Sequence, residues 1–289
     1  MKTVGIRKAT NNDTFAIRQL YDLCFANDVD FVNLYFSQIY KPENTLIDTD
    51  GGQIVACAQL LPANARINSR TLRCGQVAAV MTHPDYRLHG HMHRLMDALI
   101  EEAVNRYYCF IYINPTTDET ITRYFSEFGF VPAFGKKIEV IKVSPRGSSR
   151  LVTLIDQNEP MVRKHIHKNY VQLVDSATEM QIEYLKSCRQ RTGYAYMLRN
   201  SAGLKIAWVT GWRNSYNNFT CLSHYGKRPD IESLISNLCR HRSFEDDVEV
   251  EFPVSAKGCH YGMAKILNDK FRIEDLDDLY PEMTFAGII

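Results

Sequence analysis

The ten residues RLHGHMHRLM, Arg87 to Met96, set three histidines alternately around one glycine, and their reading decides the fold. On a strand, His89, His91 and His93 would share one face. On a helix only His89 and His93 would, four residues apart. Met92, Leu95, Met96, Leu99, Ile100 and Ala103 recur with a period of about 3.6 residues, so the stretch opens an amphipathic helix. Two histidines with no third ligand fall short of a zinc site, which takes three or four protein ligands. No metal is expected. The backbone offers more. A helix begins with amide N–H groups that lack intrahelical acceptors, its dipole adds roughly half a positive charge there, and Gly90 has no Cβ to keep a bulky ligand away. These features make an anion cradle suited to a diphosphate, with the imidazoles either supplementing it or simply solvated.

Outward from this helix the chain alternates strands and helices. GQVAAVMT before it is a buried strand that breaks at His83-Pro84, and YYCFIYI after it is a second, ended by Asn114-Pro115. DETITRYFSEF is a helix closed by Gly129, and KKIEVIKV a further strand. Upstream, VGIRKA is a short strand. Asn12 or Asp13 caps a helix carrying Phe15, Ile17, Leu20, Tyr21 and Cys24 at helical spacing. DFVNLYFSQIY is a second helix that stops before Pro42. NTLIDTD and QIVACAQLL flank Gly51-Gly52 as a hairpin, and a polar hairpin follows around INSRT.

SPRGSSR, Ser144 to Arg150, reads as a linker. Beyond it VQLVD is a strand and Ser176 caps the helix ATEMQIEYLKSCRQ. AYMLRN and LKIAWVTGW are strands around Ser201-Ala202-Gly203, and FTCLSHY is another. DIESLISNLCRHR is a helix, VEVEFPV a strand, GMAKILNDKF a helix and MTFAGII a terminal strand. The second half thus repeats the element order of the first without its sequence. The expectation is an α/β protein with α+β mixed sheets, divided at 1–145 and 146–289; an unrelated second α/β domain is the alternative.

Composition narrows the class. The chain has 289 residues, 45% hydrophobic and 23% charged, with a formal net charge of +1, so no global field steers it to nucleic acid or an anionic membrane. The N-terminus lacks the apolar run of a signal peptide, and no stretch is long enough to span a bilayer. The eight cysteines form no C-x-x-C pair and sit among apolar residues, which suits reduced thiols in the cytoplasm.

Thr82-His83-Pro84-Asp85-Tyr86-Arg87-x-x-Gly90-x-Met92 resembles motif A of the GNAT superfamily of acetyltransferases, in which Arg or Gln precedes Gly by three positions and Gly or Ala follows two later. Tyr124-Phe125-Ser126-Glu127-Phe128-Gly129-Phe130 is similar to the family's segment on the helix and strand after the cofactor strand. The bulky Met92, the THPDYR run and the duplicated second half resemble the tandem-GNAT proteins of the enhanced-intracellular-survival type. Their third, sterol-carrier-like domain is expected to be missing from a chain of this length. The resemblance covers residues 3 to 143 by motif and the rest by element order. Near Tyr225-Gly226-Lys227-Arg228-Pro229 there is no second motif A, so the second unit is expected to be degenerate.

The resemblance implies acetyl transfer from acetyl-CoA, as cosubstrate, to an amine of a small molecule or peptide. The cofactor would lie against Val80, Met81, Thr82, Arg87, Leu88, His89, Gly90, His91, Met92, His93 and Asn114. The strands would splay near Val80 and Asn114, and a backbone N–H at Val80 or Met81 would stabilise the oxyanion. The family's tyrosine acid falls at Phe125, which has no proton to give; Tyr124 is the neighbouring candidate, and water the alternative. His83 ends the strand, where it is either a base for the amine or a cap. Asp28 and Asp30 are either acceptor-site carboxylates or solvated. A homo-oligomer is compatible with the resemblance. Two other functions fit the same residues: a non-catalytic acyl-CoA-binding regulator, suggested by Phe125 and Met92, and a GNAT-fold transferase with a different acyl donor.

Overall fold

The computed structural model describes residues 5–25, 29–67, 69–113, 119–145, 151–154, 170–173, 193–215, 218–241, 246–268, 271–272, 274–277 and 280–281. In chain order these form β1 (Gly5–Lys8), α1 (Thr14–Cys24), α2 (Val29–Leu34), β2 (Thr45–Asp50), β3 (Gln53–Ile67), β4 (Arg70–Thr82), α3 (His91–Asn105), β5 (Phe110–Ile113), α4 (Glu119–Glu127) and β6 (Val131–Val143). There follow β7 (Leu151–Leu154), β8 (Tyr170–Leu173), β9 (Gly193–Arg199), β10 (Lys205–Ser215), β11 (Asn218–Tyr225), α5 (Arg228–His241), β12 (Val248–Ile266), α6 (Glu274–Asp277) and β13 (Tyr280–Pro281). The chain divides into two compact units: Met1–Gly135 with Asn169–Ala177 and His260–Ile289, and Lys136–Lys168 with Thr178–Cys259. The first unit therefore includes a C-terminal segment that a single cut at residue 145 leaves out.

In the first unit β1, β2, β3 and β4 pair antiparallel in that order, and β4 pairs parallel with β5. A parallel neighbour requires a crossover, and α3 supplies it. The sheet is covered on both faces. Leu60, Val77, Ile111 and Ile113 pack with Leu95, Met96, Leu99, Phe125, Phe128 and Phe130 of α3, α4 and the turn after it. Leu61, Ala78, Phe110 and Tyr112 point the other way, against Phe134 and Leu276. That is why β3, β4 and β5 read as continuous apolar runs rather than as alternating ones. At the entry to α1, Asp13 accepts from the Thr10 amide at 2.7 Å and pairs with Arg7 at 2.8 Å. The Arg7 guanidinium beside it holds its carboxyl well below the usual carboxylate range. The second helix is shorter than its sequence suggests, giving way to a π-helical turn over Tyr35–Ile39.

One element is a correction. GMAKILNDKF does not form a helix. Met263, Ala264, Lys265 and Ile266 instead pair antiparallel with Ile113, Tyr112, Ile111 and Phe110 of β5. Met263 joins one core layer, Ala264 and Ile266 the other. Met, Ala and Lys favour helices locally, but the unpaired edge of β5 and the two apolar layers outweigh that preference. Lys265 also donates from Nζ to the Phe128 carbonyl at 2.7 Å, satisfying an orphan acceptor at the end of α4. The proposed Ser176-capped helix and the terminal MTFAGII strand lie outside the described residues, as does most of the 144–150 linker.

The second unit repeats this pairing. β7, β9, β10 and β11 run antiparallel in that order, and β11 pairs parallel with β12 across α5. Leu198, Val209 and Phe219 of its sheet pack on Ile231, Leu234, Ile235 and Leu238 of α5. The protein is thus a mixed α/β fold with two related sheets. Among the described residues no helix is long and apolar enough to cross a membrane.

Gly75, where β4 meets β5, shows how closely the first core is filled. An added Cβ would lie 2.7 Å from Leu60 Cδ1 and 2.8 Å from Tyr108 Cε2. Gly75→Val should therefore destabilise the protein by about 1–3 kcal/mol. Urea denaturation checks this, and an unchanged midpoint would contradict the packing.

Candidate functional site

β4 and β5 pair over a short stretch of the described residues. Their parallel register covers Gly75 with Ile111 and Gln76 with Tyr112. On its other edge β4 pairs Ala78 with Gln59 and Met81 with Cys57, so Ala79 and Val80 stand opposite Ala58 alone. Ala79 has a positive φ of 46°. This is a β-bulge, which bends its strand and frees backbone from the ladder. It falls at the Val80 position where sequence places the splay. Asn114, the expected partner across the gap, lies outside the described residues. The Thr82 carbonyl already accepts from Arg87 Nε at 3.3 Å and Cys24 Sγ at 3.4 Å. Val80, in the bulge, is then the strand position better placed to take an added chain.

The loop from β4 to α3 is built around exposed amides. Pro84–Tyr86 form one 3-10 turn, which His83 caps by accepting the Asp85 amide on Nδ1 at 3.3 Å. Leu88 is fully exposed with φ 66°, and Gly90 has φ 78°. A leucine in the left-handed region is a strained residue, and such strain gathers at functional loops. Among the described residues, none of the amides from Leu88 to His93 meets an acceptor, and the first backbone bond of α3 is Arg94 N to Gly90 O at 3.2 Å. Among the described residues, and leaving aside its chain neighbours, the one atom within 4 Å of a Cβ added at Gly90 is Arg94 Nη1, at 3.6 Å. The space over this glycine is open, in contrast to Gly75.

The three histidines of the loop have three environments. His89 is exposed. His93 lies with its ring 4.7 Å from that of Phe128 and 3.9 Å from the Asp97 carboxylate. His91 is buried, its Nδ1 2.9 Å from Asp48 Oδ2, with Arg94 Nη2 3.0 Å from the same oxygen. They do not converge, and among the described residues no three His, Cys, Asp or Glu side chains gather as metal ligands. Met92, the bulky residue of the motif, packs against the core.

On α4, Phe125 is 3% exposed within the core. Tyr124 is half-buried, its ring 5.5 Å from Phe125 and 5.2 Å from Phe128, and among the described residues its buried hydroxyl has no hydrogen-bond partner. Burial, with Glu127 and Asp97 nearby, pushes this phenol up to about 12, so it keeps its proton through neutral pH. His83 is less suited to act as a base while its Nδ1 lone pair is engaged by Asp85, because the neutral ring then carries its proton on Nε2. Sequence reasoning missed Asp48, Arg94 and Cys24. The available signal for Asp48 was an acid flanked by buried strand residues in NTLIDTD. Cys24 had none, because its neighbours Thr82 and Arg87 are distant in sequence. Burial raises its thiol despite Arg87. Asp28 lies outside the described residues.

The second unit keeps part of this design. Cys221 and Ser223 of β11 pair with Gly211 and Thr210, leaving Leu222 as an extra residue, a bulge like that in β4. Only Gly226 and Lys227 separate β11 from α5. The second helical residue is Pro229, and the next two amides, Asp230 and Ile231, both bond the Lys227 carbonyl at 2.9 and 3.1 Å. The space over Gly226 is filled, an added Cβ lying 2.7 Å from Ala207 Cβ and 2.8 Å from Ile206 O, in contrast to Gly90.

Residues 5–133 match the family model described as acetyltransferase (GNAT) domain. No curated protein matches the chain in sequence. Among solved structures, a GCN5-related N-acetyltransferase from Anabaena variabilis is 15% identical with a TM-score of 0.72, the match covering 92% of this chain and 73% of the other. A GCN5-related N-acetyltransferase from Kribbella flavida is 13% identical with a TM-score of 0.65, covering 92% and 72%. Eis1 from Mycobacterium abscessus is 9% identical with a TM-score of 0.63, covering 91% and 73%. At these identities the likeness is one of fold.

The unbonded hydroxyl of Tyr124 gives a test that does not depend on function. Tyr124→Phe keeps the ring and removes only that group, so stability should hold or rise by up to about 1 kcal/mol. Chemical denaturation reads this directly; a clear loss of stability would mean that the hydroxyl is bonded after all.

Proposed function

We propose, from the match of residues 5–133 to the acetyltransferase (GNAT) domain, that the protein transfers the acetyl group of acetyl-CoA to an amine. The observation that carries this reading is the run of amides from Leu88 to His93 without acceptors, around an open Gly90. A diphosphate supplies the acceptors those donors lack. Arg87, His89 and His93 stand beside it, while Val80, Met81 and Thr82 lead the pantetheine arm along the bulged strand as an added strand would run.

The reaction is direct. The amine nitrogen attacks the thioester carbonyl; a C–N bond forms and the C–S bond breaks. The bulge amide at Val80 or Met81 donates to the oxyanion, a contact worth about 2.7–4 kcal/mol of barrier. The CoA thiolate takes up a proton and the amine releases one. Tyr124 is the protein's candidate donor, since it is protonated at neutral pH; Phe125 has no proton to give. Proton acceptance falls to water, or to His83 once Asp85 releases its Nδ1. The chemistry uses no metal. The second unit is a degenerate copy that binds no CoA. Six described cysteines are free thiols, in keeping with a cytoplasmic setting.

Phe125 in the tyrosine position favours one rival: an acyl-CoA-binding regulator without turnover. Thiol release over a panel of amines separates the two. An enzyme releases CoA with a suitable amine, while a regulator binds CoA and releases none. Gly90→Glu tests the cradle itself. The side chain enters open space, strains the backbone at its φ of 78° and brings a negative charge, so CoA affinity in calorimetry should fall at least about a hundredfold, the equivalent of two lost charge-assisted bonds, with the fold retained by circular dichroism and Gly90→Ala, equally strained but uncharged, falling less. Unchanged affinity refutes the assignment. Tyr124→Phe should lower turnover about tenfold or more if the phenol is the acid; an unaltered rate removes it from the mechanism.

A further inference from the structure

A charge cluster ties the first turn of α3 to the sheet, and nothing in the cradle as described so far requires it. Asp48, on β2, is 1% exposed. Its Oδ2 takes both available donors, His91 Nδ1 at 2.9 Å and Arg94 Nη2 at 3.0 Å. Its Oδ1 is buried with no partner among the described residues. All compensation for burying this carboxylate therefore comes from these two side chains, and losing either is costly. Arg94 Nη2 also lies 3.0 Å from His91 Nδ1. Because an ionised carboxylate only accepts, the 2.9 Å contact with Asp48 calls for a proton on His91 Nδ1.

Arg94 faces two ways. One nitrogen is fixed on the buried carboxylate, while the other, Nη1, lies 3.6 Å from where a Gly90 Cβ would be. Its side chain is 47% exposed. The guanidinium thus reaches the open space over Gly90, beside the amides from Leu88 to His93, with N–H donors to spare after bonding Asp48. Resting on the CoA reading above, we propose that Arg94 is a side-chain ligand of the diphosphate and that Asp48 is the residue that positions it. The planar fork matches phosphate oxygens. Held by Asp48 in the unliganded protein, it loses less rotamer freedom when the anion arrives than a free arginine would.

The role given to Asp48 has a sign that plain electrostatics does not share. A carboxylate beneath an anion site repels the anion, so an Asp48 acting through charge alone would make Asp48→Asn bind CoA more tightly. Positioning demands weaker binding. The experiment is calorimetric titration of CoA into the full chain at two or more salt concentrations, with Arg94→Ala, Arg94→Lys, Asp48→Asn and the double variant Asp48→Asn/Arg94→Ala. Arg94→Ala should weaken CoA about tenfold to a hundredfold and flatten the salt dependence, since one screened charge contact is gone. Arg94→Lys should recover part of the loss. Asp48→Asn should weaken binding about threefold to tenfold, and the double variant should bind no more weakly than Arg94→Ala, because the two residues act as a unit. Arg94→Ala with wild-type affinity, or tighter binding by Asp48→Asn, overturns the proposal. If Asp48→Asn fails to fold, the two Arg94 variants and their salt dependence decide. Wild-type protein that binds no CoA sinks the functional reading and this proposal together. Wild-type binding that is lost in Gly90→Glu but intact in Arg94→Ala leaves the functional reading standing and removes this one alone.

Discussion

Unbonded main-chain donors are the constraint around which the first unit is arranged. A helix N-terminus leaves main-chain donors without intrahelical acceptors, and the chain from Leu88 to His93 presents several in succession. Local features keep them open. Pro84 and the His83 cap turn the chain away from β4. Leu88 and Gly90 hold left-handed conformations that reorient the loop, and Arg87 ties it back to the Thr82 carbonyl. Packing of Met92, Leu95, Met96 and Leu99 against the sheet then fixes the helix that follows. Helix, loop and bulge are separate devices in sequence, but they serve one end of β4.

The second unit shows what remains when that constraint is lifted. It retains the pairing order, the parallel step across a helix and even the extra residue in the corresponding strand. Its turn into the helix has shrunk to Gly226 and Lys227, and the amides that follow are used within the turn. Packing is preserved by many interchangeable apolar residues, so a sheet tolerates wide changes of sequence. A nest of amides depends on a few backbone angles, and a short turn with a proline abolishes it.

Much of this could be read in the sequence. The helical period after Gly90, the breaks at Pro84 and Pro115 and the turns at Gly51-Gly52 and Gly203 all act locally, and the elements around them lie where expected. The anion-cradle proposal for RLHGHMHRLM likewise starts from backbone chemistry and the geometry of one turn. Two things stayed hidden for the same physical reason. The strand at Met263–Ile266 has a helix-forming composition and becomes a strand only because β5 has an open edge. The Asp48 cluster joins residues 43 positions apart, with nothing at either end to announce the other. Charge pairs across a sheet carry no periodic signal, and a strand's edge partner is a property of the assembled fold.

The pairing of Met263–Ile266 with β5 has a bearing on how the protein comes into being. The strand that completes the N-terminal core is synthesised roughly 150 positions after the residues it joins. During translation the N-terminal unit must wait with the outer edge of β5 uncovered and the end of α4 lacking its lysine. Closing so long a loop is slow, and an unpaired strand edge invites association with other chains. For this protein the hazardous interval is on the ribosome, and arrival of Met263–Ile266 at the edge of β5 ends it.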